Sequence, residues 1–155
     1  MSWSCRCATA ADTAAAGEDF AAALVPGDVV LLTGPLGAGK TTFVQGVARG
    51  LGVTERVTSP TFTMVRPHAC HAGAITTLWH ADLYRVESLD EVWDLALGEL
   101  VEESGVALVE WGELATSALG RDAWTVQVAV HDDEARVLEA AGARADREAP
   151  GRWAP

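Results

Sequence analysis

The sequence predicts an α/β fold: a single P-loop domain in which a mixed β-sheet is flanked by helices. Three observations carry that expectation. An apolar run, Val29-Val30-Leu31-Leu32, passes into a glycine-rich turn and then into a segment where Phe43, Val44, Val47, Ala48 and Leu51 fall on one helical face. A second apolar run, Val106-Ala107-Leu108-Val109, has the unbroken character of a strand covered on both faces. Strand-like segments at 62–65 and 74–80, and again at 124–131 and 135–140, read as hairpins that add antiparallel pairs to this parallel centre. A chain of 155 residues has material for one sheet and its covering helices, and not for a second catalytic domain.

Taken in order, Thr9 or Asp12 caps a first helix that runs through the alanines and Phe20 to about Leu24, and Pro26-Gly27 turns the chain into the strand at 29–32. The helix after the glycine-rich turn ends near Gly50-Leu51-Gly52. Ser59-Pro60-Thr61 opens the strand-like stretch Phe62-Thr63-Met64-Val65, residues 68–73 turn, and the return from Ala74 to His80 delivers Asp82 to its end. Ser88-Leu89-Asp90-Glu91 is a capping box, followed by an apolar stripe of Leu89, Val92, Trp93, Ala96 and Leu100, with an interruption expected at Gly98. The strand from Val106 ends at Glu110-Trp111, and the last hairpin turns at Asp132-Asp133. Residues 1–141 form the expected domain. Residues 142–155, with Pro150, Gly151 and Pro155, read as a flexible tail.

Eleven basic residues against 22 acidic ones give a net charge of −11, which repels a phosphate backbone and argues against direct, high-affinity RNA binding. No basic start with a long apolar run and no membrane-length apolar stretch occurs, so a soluble, cytoplasmic chain without a membrane partner is expected. Three cysteines, odd in number, fit a reducing compartment.

The chemistry is concentrated in Gly34-Pro35-Leu36-Gly37-Ala38-Gly39-Lys40-Thr41, a match to the P-loop pattern Gly-x-x-x-x-Gly-Lys-Ser/Thr. Lys40 is the only lysine, in a chain that otherwise uses arginine for every basic residue. A compact ammonium on a flexible stem reaches between β- and γ-phosphates, where a planar guanidinium does not. The loop's backbone N–H groups and the helix behind them favour phosphate, and the Thr41 hydroxyl is placed to ligate magnesium. A second magnesium-site acid is expected at the end of a neighbouring strand, and both Asp82 and Glu110 qualify; Glu110 follows the more apolar run and is the better geometric match. Thr61, after the rigid Pro60, is either a switch threonine that approaches the γ-phosphate or a strand-initiating residue.

Four blocks stand in order: Gly34 to Thr42, Thr58-Ser59-Pro60-Thr61-Phe62, His80-Ala81-Asp82-Leu83-Tyr84-Arg85, and Val109-Glu110-Trp111. Together they resemble the TsaE (YjeE) family of small bacterial P-loop ATPases over about residues 8 to 140. The resemblance implies a mixed-sheet domain that binds ATP and Mg2+ and acts with the TsaB and TsaD proteins, which attach threonylcarbamoyl to adenosine 37 of tRNAs reading codons that begin with A. It brings tRNA in only through that complex. It further implies that Gly34, Leu36, Gly37, Ala38, Gly39, Lys40, Thr41 and Thr42 hold the nucleotide and that Glu110 is a magnesium-site acid. Asp82, Thr61 and Trp111 are then active-site residues, and Thr13 is the adenine-side contact. Pro35 departs from the acidic or polar residue common at that position, which implies a stiffer loop with binding retained.

Two rivals are weighed against this reading. A GTPase needs Asn-Lys-x-Asp, and the single lysine is already committed to the loop. A small-molecule kinase shares the P-loop but closes arginines over the transferred phosphate, whereas no basic residue lies between Arg85 and Arg121.

Overall fold

The computed structural model describes residues 1–60, 64–116, 122–142 and 144–155. Its strands are β1 (Ser2–Cys7), β2 (Val29–Thr33), β3 (Val65–Ala69), β4 (Thr77–Asp82), β5 (Gly105–Glu110), β6 (Trp124–Val130) and β7 (Arg136–Ala141). They form one seven-stranded sheet in the order β1-β7-β6-β2-β5-β4-β3. The four central strands β6, β2, β5 and β4 are parallel, while β3 pairs antiparallel with β4, and β7 antiparallel with both β6 and β1. The expected hairpin at 124–140 is present as β6 and β7; in the first one β3 pairs with β4, but β3 runs through His68 and Ala69, residues expected to turn, and β4 starts at Thr77 in place of Ala74. The sheet is mixed.

Strand alternation sorts the core into two layers. Val30, Leu32, Leu78, Val106 and Leu108 pack on one face beneath Phe20 of α1 (Ala10–Ala21) and Phe43, Val44 and Val47 of α2 (Lys40–Gly50). Leu31, Ala81, Ala107 and Val109 face the other way, toward Val92 of α3 (Leu89–Asp94) and Leu97 of α4 (Leu97–Leu100). Every residue of β5 is buried, as a parallel strand covered on both sides requires.

Thr9 and Asp12 both serve the cap of α1. The Asp12 N–H donates to Thr9 Oγ1 at 3.1 Å, and the Thr9 N–H donates back to Asp12 Oδ2 at 3.1 Å. Helices α1 and α2 then cross at glycines. A Cβ on Gly46 would lie 1.9 Å from the Ala14 carbonyl oxygen, and one on Gly17 would lie 2.3 Å from that of Phe43. This close crossing sets Thr13 beside the start of α2.

Three expectations are corrected. The helix after Ser88 breaks at Ala96, in the left-handed region at φ 51°, and not at Gly98. That turn sends Leu97 into the core, while Trp93, assigned to the apolar stripe, is 58% exposed. Ser2–Cys7 is a strand that the sequence reading missed, with Trp3, Cys5 and Cys7 turned inward. The C-terminal segment is docked. Trp153 is buried against Phe20 and Phe43, its Nε1–H donates to the Ala16 carbonyl at 2.9 Å, and Ser4 and Ala154 exchange backbone hydrogen bonds. One buried indole outweighs the Pro and Gly content that suggested a loose tail. The strand expected to begin at Phe62 begins, within the described residues, at Val65.

Candidate nucleotide-binding site

The glycine loop leaves β2 at Gly34, whose φ is +141° and whose missing Cβ would stand 2.5 Å from the Val128 carbonyl oxygen of β6. Gly39, at φ +109°, caps the N-terminus of α2. Lys40 is buried just inside that helix. Its Nζ donates to the carbonyls of Gly34 at 2.6 Å and Pro35 at 3.0 Å, and lies 3.7 Å from the centre of the Trp111 ring. Burial pulls the Lys40 ammonium below its ordinary range, while Glu110, Glu113 and Asp82 pull it back up. Trp111 holds φ 58°, a strained conformation for a bulky residue, and its ring packs on Tyr84 at 4.9 Å between centroids.

Alternation along β5 turns Glu110 to the same face as Val106 and Leu108, under α2, whose first turn carries Thr41. The Thr41 hydroxyl donates to Glu110 Oε1 at 2.7 Å. Asp82 lies opposite Glu110 in the β4–β5 register but turns to other partners: Ser59 Oγ donates to its Oδ2 at 2.7 Å, and the Tyr84 N–H to its Oδ1 at 2.9 Å. Both expected acids thus reach the site, with Glu110 on the P-loop threonine and Asp82 on the segment that precedes residue 61. Thr61 itself lies outside the described residues.

A cleft of about 390 Å³ contains Leu36, Lys40, Thr41, Ser59, Asp82, Glu110 and Trp111. A second, of about 460 Å³, shares Gly37, Ala38, Gly39 and Thr42 with it and extends to Thr9, Thr13, Cys7 and Arg136. The two clefts meet along the glycine loop. A donor set of one hydroxyl and two carboxylates, all oxygen, fits a hard cation such as magnesium. In the second cleft the Cys7 thiol is lowered to about 7, chiefly by its hydrogen bond with Cys5, 3.8 Å away between sulfurs.

Four residues of this site were not assigned roles from sequence. His80 Nε2 meets Glu110 Oε2 at 2.5 Å, Ser59 engages Asp82, Tyr84 packs on Trp111, and Arg136 Nε donates to the Ala38 carbonyl at 2.8 Å. A histidine in the otherwise apolar inward pattern of Leu78-Trp79-His80-Ala81 was the available signal for the first. Arg136 has none, because its contact spans 98 residues of sequence.

A parallel strand, a glycine loop, a helix opening on Lys40-Thr41 and an acid at the end of the adjacent strand define a P-loop NTPase-type protein. The family model described as threonylcarbamoyl adenosine biosynthesis protein TsaE matches residues 7–138. Proteins named tRNA threonylcarbamoyladenosine biosynthesis protein TsaE are similar to this chain. The one from Treponema pallidum is 42% identical, over 88% of this chain and 98% of the relative. That from Bacillus subtilis is 41% identical, over 82% and 77%. The crystal structure of Bacillus subtilis YdiB superposes with a TM-score of 0.73 at 33% identity, covering 92% of this chain and 86% of that one. The chain belongs to the TsaE family.

Proposed function

We propose that this protein binds and hydrolyses ATP with magnesium, and acts with TsaB and TsaD in threonylcarbamoyladenosine formation at position 37 of tRNAs reading codons that begin with A. The pathway follows from the relatives' names, and the single observation that carries the chemistry is the cluster of Lys40, Thr41 and Glu110 at the mouth of α2. Lys40 binds the β- and γ-phosphates, with Gly34, Leu36 and Gly37 to Thr42 around them and Thr13 toward the adenine. Thr41 and Glu110 hold the metal, with Asp82 serving turnover beside them. Magnesium, when bound, supplies the positive charge that lets a triphosphate lie beside two carboxylates; at 4 Å each unscreened carboxylate–phosphate contact costs about 4 kcal/mol at an effective dielectric of about 20. Thr61, which lies outside the described residues, is assigned by the family resemblance to the active site, and the Trp111 ring packs against the Lys40 ammonium.

Action in the cytoplasm fits this role, and no helix among the described residues is long and apolar enough to cross a membrane. The kinase alternative gains no support, since the stretch around Trp111 carries no arginine to close on a transferred phosphate.

Calorimetry tests the assignment. Lys40→Ala is expected to abolish tight ATP binding with or without magnesium, whereas Glu110→Ala retains metal-free affinity within about threefold and loses metal-dependent hydrolysis. Equal loss of metal-free affinity in both variants contradicts this division of roles.

A further inference from the structure

His80 sits in the middle of β4 with no exposed surface, on the inward face shared with Leu78. Its register partner on β5 is Leu108, so Glu110 lies diagonally two residues further along, at the strand end. The ring's Nε2 closes that diagonal at 2.5 Å from Glu110 Oε2, while Thr41 occupies Glu110 Oε1 at 2.7 Å. A carboxylate only accepts, so the hydrogen lies on Nε2 and fixes the tautomer. The other nitrogen, Nδ1, is buried without a partner among the described residues. Such a group costs about 1–3 kcal/mol, a cost an apolar residue would avoid. A histidine kept there at that cost, with its one hydrogen bond directed at the site, is poorly explained as core filling.

We infer that His80 is a positioning residue: it anchors Oε2 of Glu110 so that Oε1 stays aimed at Thr41 and the metal position. This rests on the proposed magnesium role of Glu110. Without the anchor, the carboxylate is free to rotate about its last side-chain bonds. Hydrogen-bond partners of metal-binding side chains typically change metal affinity about 10–100-fold when removed.

The test uses the full chain with ADP and Mn2+ as a magnesium probe, with bound metal read by electron paramagnetic resonance and nucleotide affinity by calorimetry. His80→Leu is expected to leave metal-free ADP affinity within about twofold and to raise the Mn2+ concentration for half-occupancy at least about tenfold. His80→Gln, whose amide N–H can stand where Nε2–H does, is expected to restore it to within about threefold of wild type. If His80→Leu does not fold, His80→Asn takes its place, because its shorter amide falls short of Glu110. Unchanged Mn2+ occupancy in the variant lacking the donor overturns the positioning role. Failure of His80→Gln to recover occupancy, with metal-free affinity lost in parallel, assigns His80 to packing and also overturns it. A wild-type protein whose ADP complex takes up no Mn2+ is a different failure, since it removes the proposed metal site itself.

Discussion

At the scale of single residues, the site is already tightly bonded within itself. Lys40 is held by two loop carbonyls and an indole face, and Glu110 is divided between Thr41 and His80. Hydrogen bonds to a charged group contribute about 1.5–3 kcal/mol each, so phosphate oxygens must replace the Gly34 and Pro35 carbonyls with contacts of at least that strength. The loop N–H groups and the start of α2 are the groups able to supply them. The proposed function puts base selection in the other cleft, which Thr9, Thr13, Cys7 and Arg136 line. That lining contains no Asn-Lys-x-Asp arrangement, so ATP should bind at least about tenfold more tightly than GTP, a difference of about 1.4 kcal/mol. Competition titration measures it, and equal affinities contradict the adenine assignment.

At the scale of elements, two contacts hold the site in place and both can be tested. Alanine in place of glycine inside a helix ordinarily stabilises by about 1 kcal/mol. At Gly46 the new Cβ would meet the Ala14 carbonyl at 1.9 Å, and backbone cannot swing aside as a side-chain tip can. Gly46→Ala is therefore expected to destabilise by about 1–3 kcal/mol and to weaken nucleotide binding by displacing Thr13, as seen in denaturant midpoints and titration. A rise in stability would mean that the α1–α2 crossing is looser than described. The second contact is the docked C-terminus. Burial resists ionisation of Asp19, but two hydrogen bonds and the nearby charge of Arg152 outweigh it and hold the carboxyl below its usual range. A depressed carboxyl pKa contributes stability that is present above the unfolded value of about 3.9 and lost as pH falls through the folded one. With the pair partly exposed, Arg152→Ala should cost less than about 1 kcal/mol at pH 7, and the difference from wild type should vanish in acid. A difference that persists below the carboxylate range would assign the effect to packing.

These elements also show what was legible in the sequence. The strands at 29–33 and 105–110 and the hairpin of β6 and β7 follow from period and turn chemistry, because covered parallel strands leave unbroken apolar runs; the β3–β4 pair is shifted toward the C-terminus of its expected bounds. Ser2–Cys7 and Trp153 did not follow. Each is short, and each is held by a partner at the opposite end of the chain, Arg136–Ala141 for the first and α1 for the second. The same limit applies within the site. Lys40, Thr41 and Glu110 are marked by local pattern, whereas Ser59 on Asp82 and Arg136 on Ala38 are contacts that only the folded register creates.

At the scale of the whole molecule, charge is the governing property. The net charge of −11 is concentrated in part between Glu87 and Glu113, where nine acids occur without a basic residue, and Asp90, Glu99, Glu102 and Glu103 are exposed there. Such a surface repels tRNA and favours a basic protein face, so under the proposed function the chain is expected to join its protein partners with an association that weakens as salt rises. The molecule offers two clefts joined along the glycine loop, and the proposed function gives ATP turnover there the task of driving or resetting a partner assembly. The most direct measurement is ATP hydrolysis by the purified protein in three settings: alone, with TsaB and TsaD, and with those partners plus tRNA. Weak turnover alone that rises at least about tenfold with the partners, and is lost in Lys40→Ala, is the predicted result. Equal turnover in all three settings, or transfer of the γ-phosphate to a small acceptor in place of water, would contradict it.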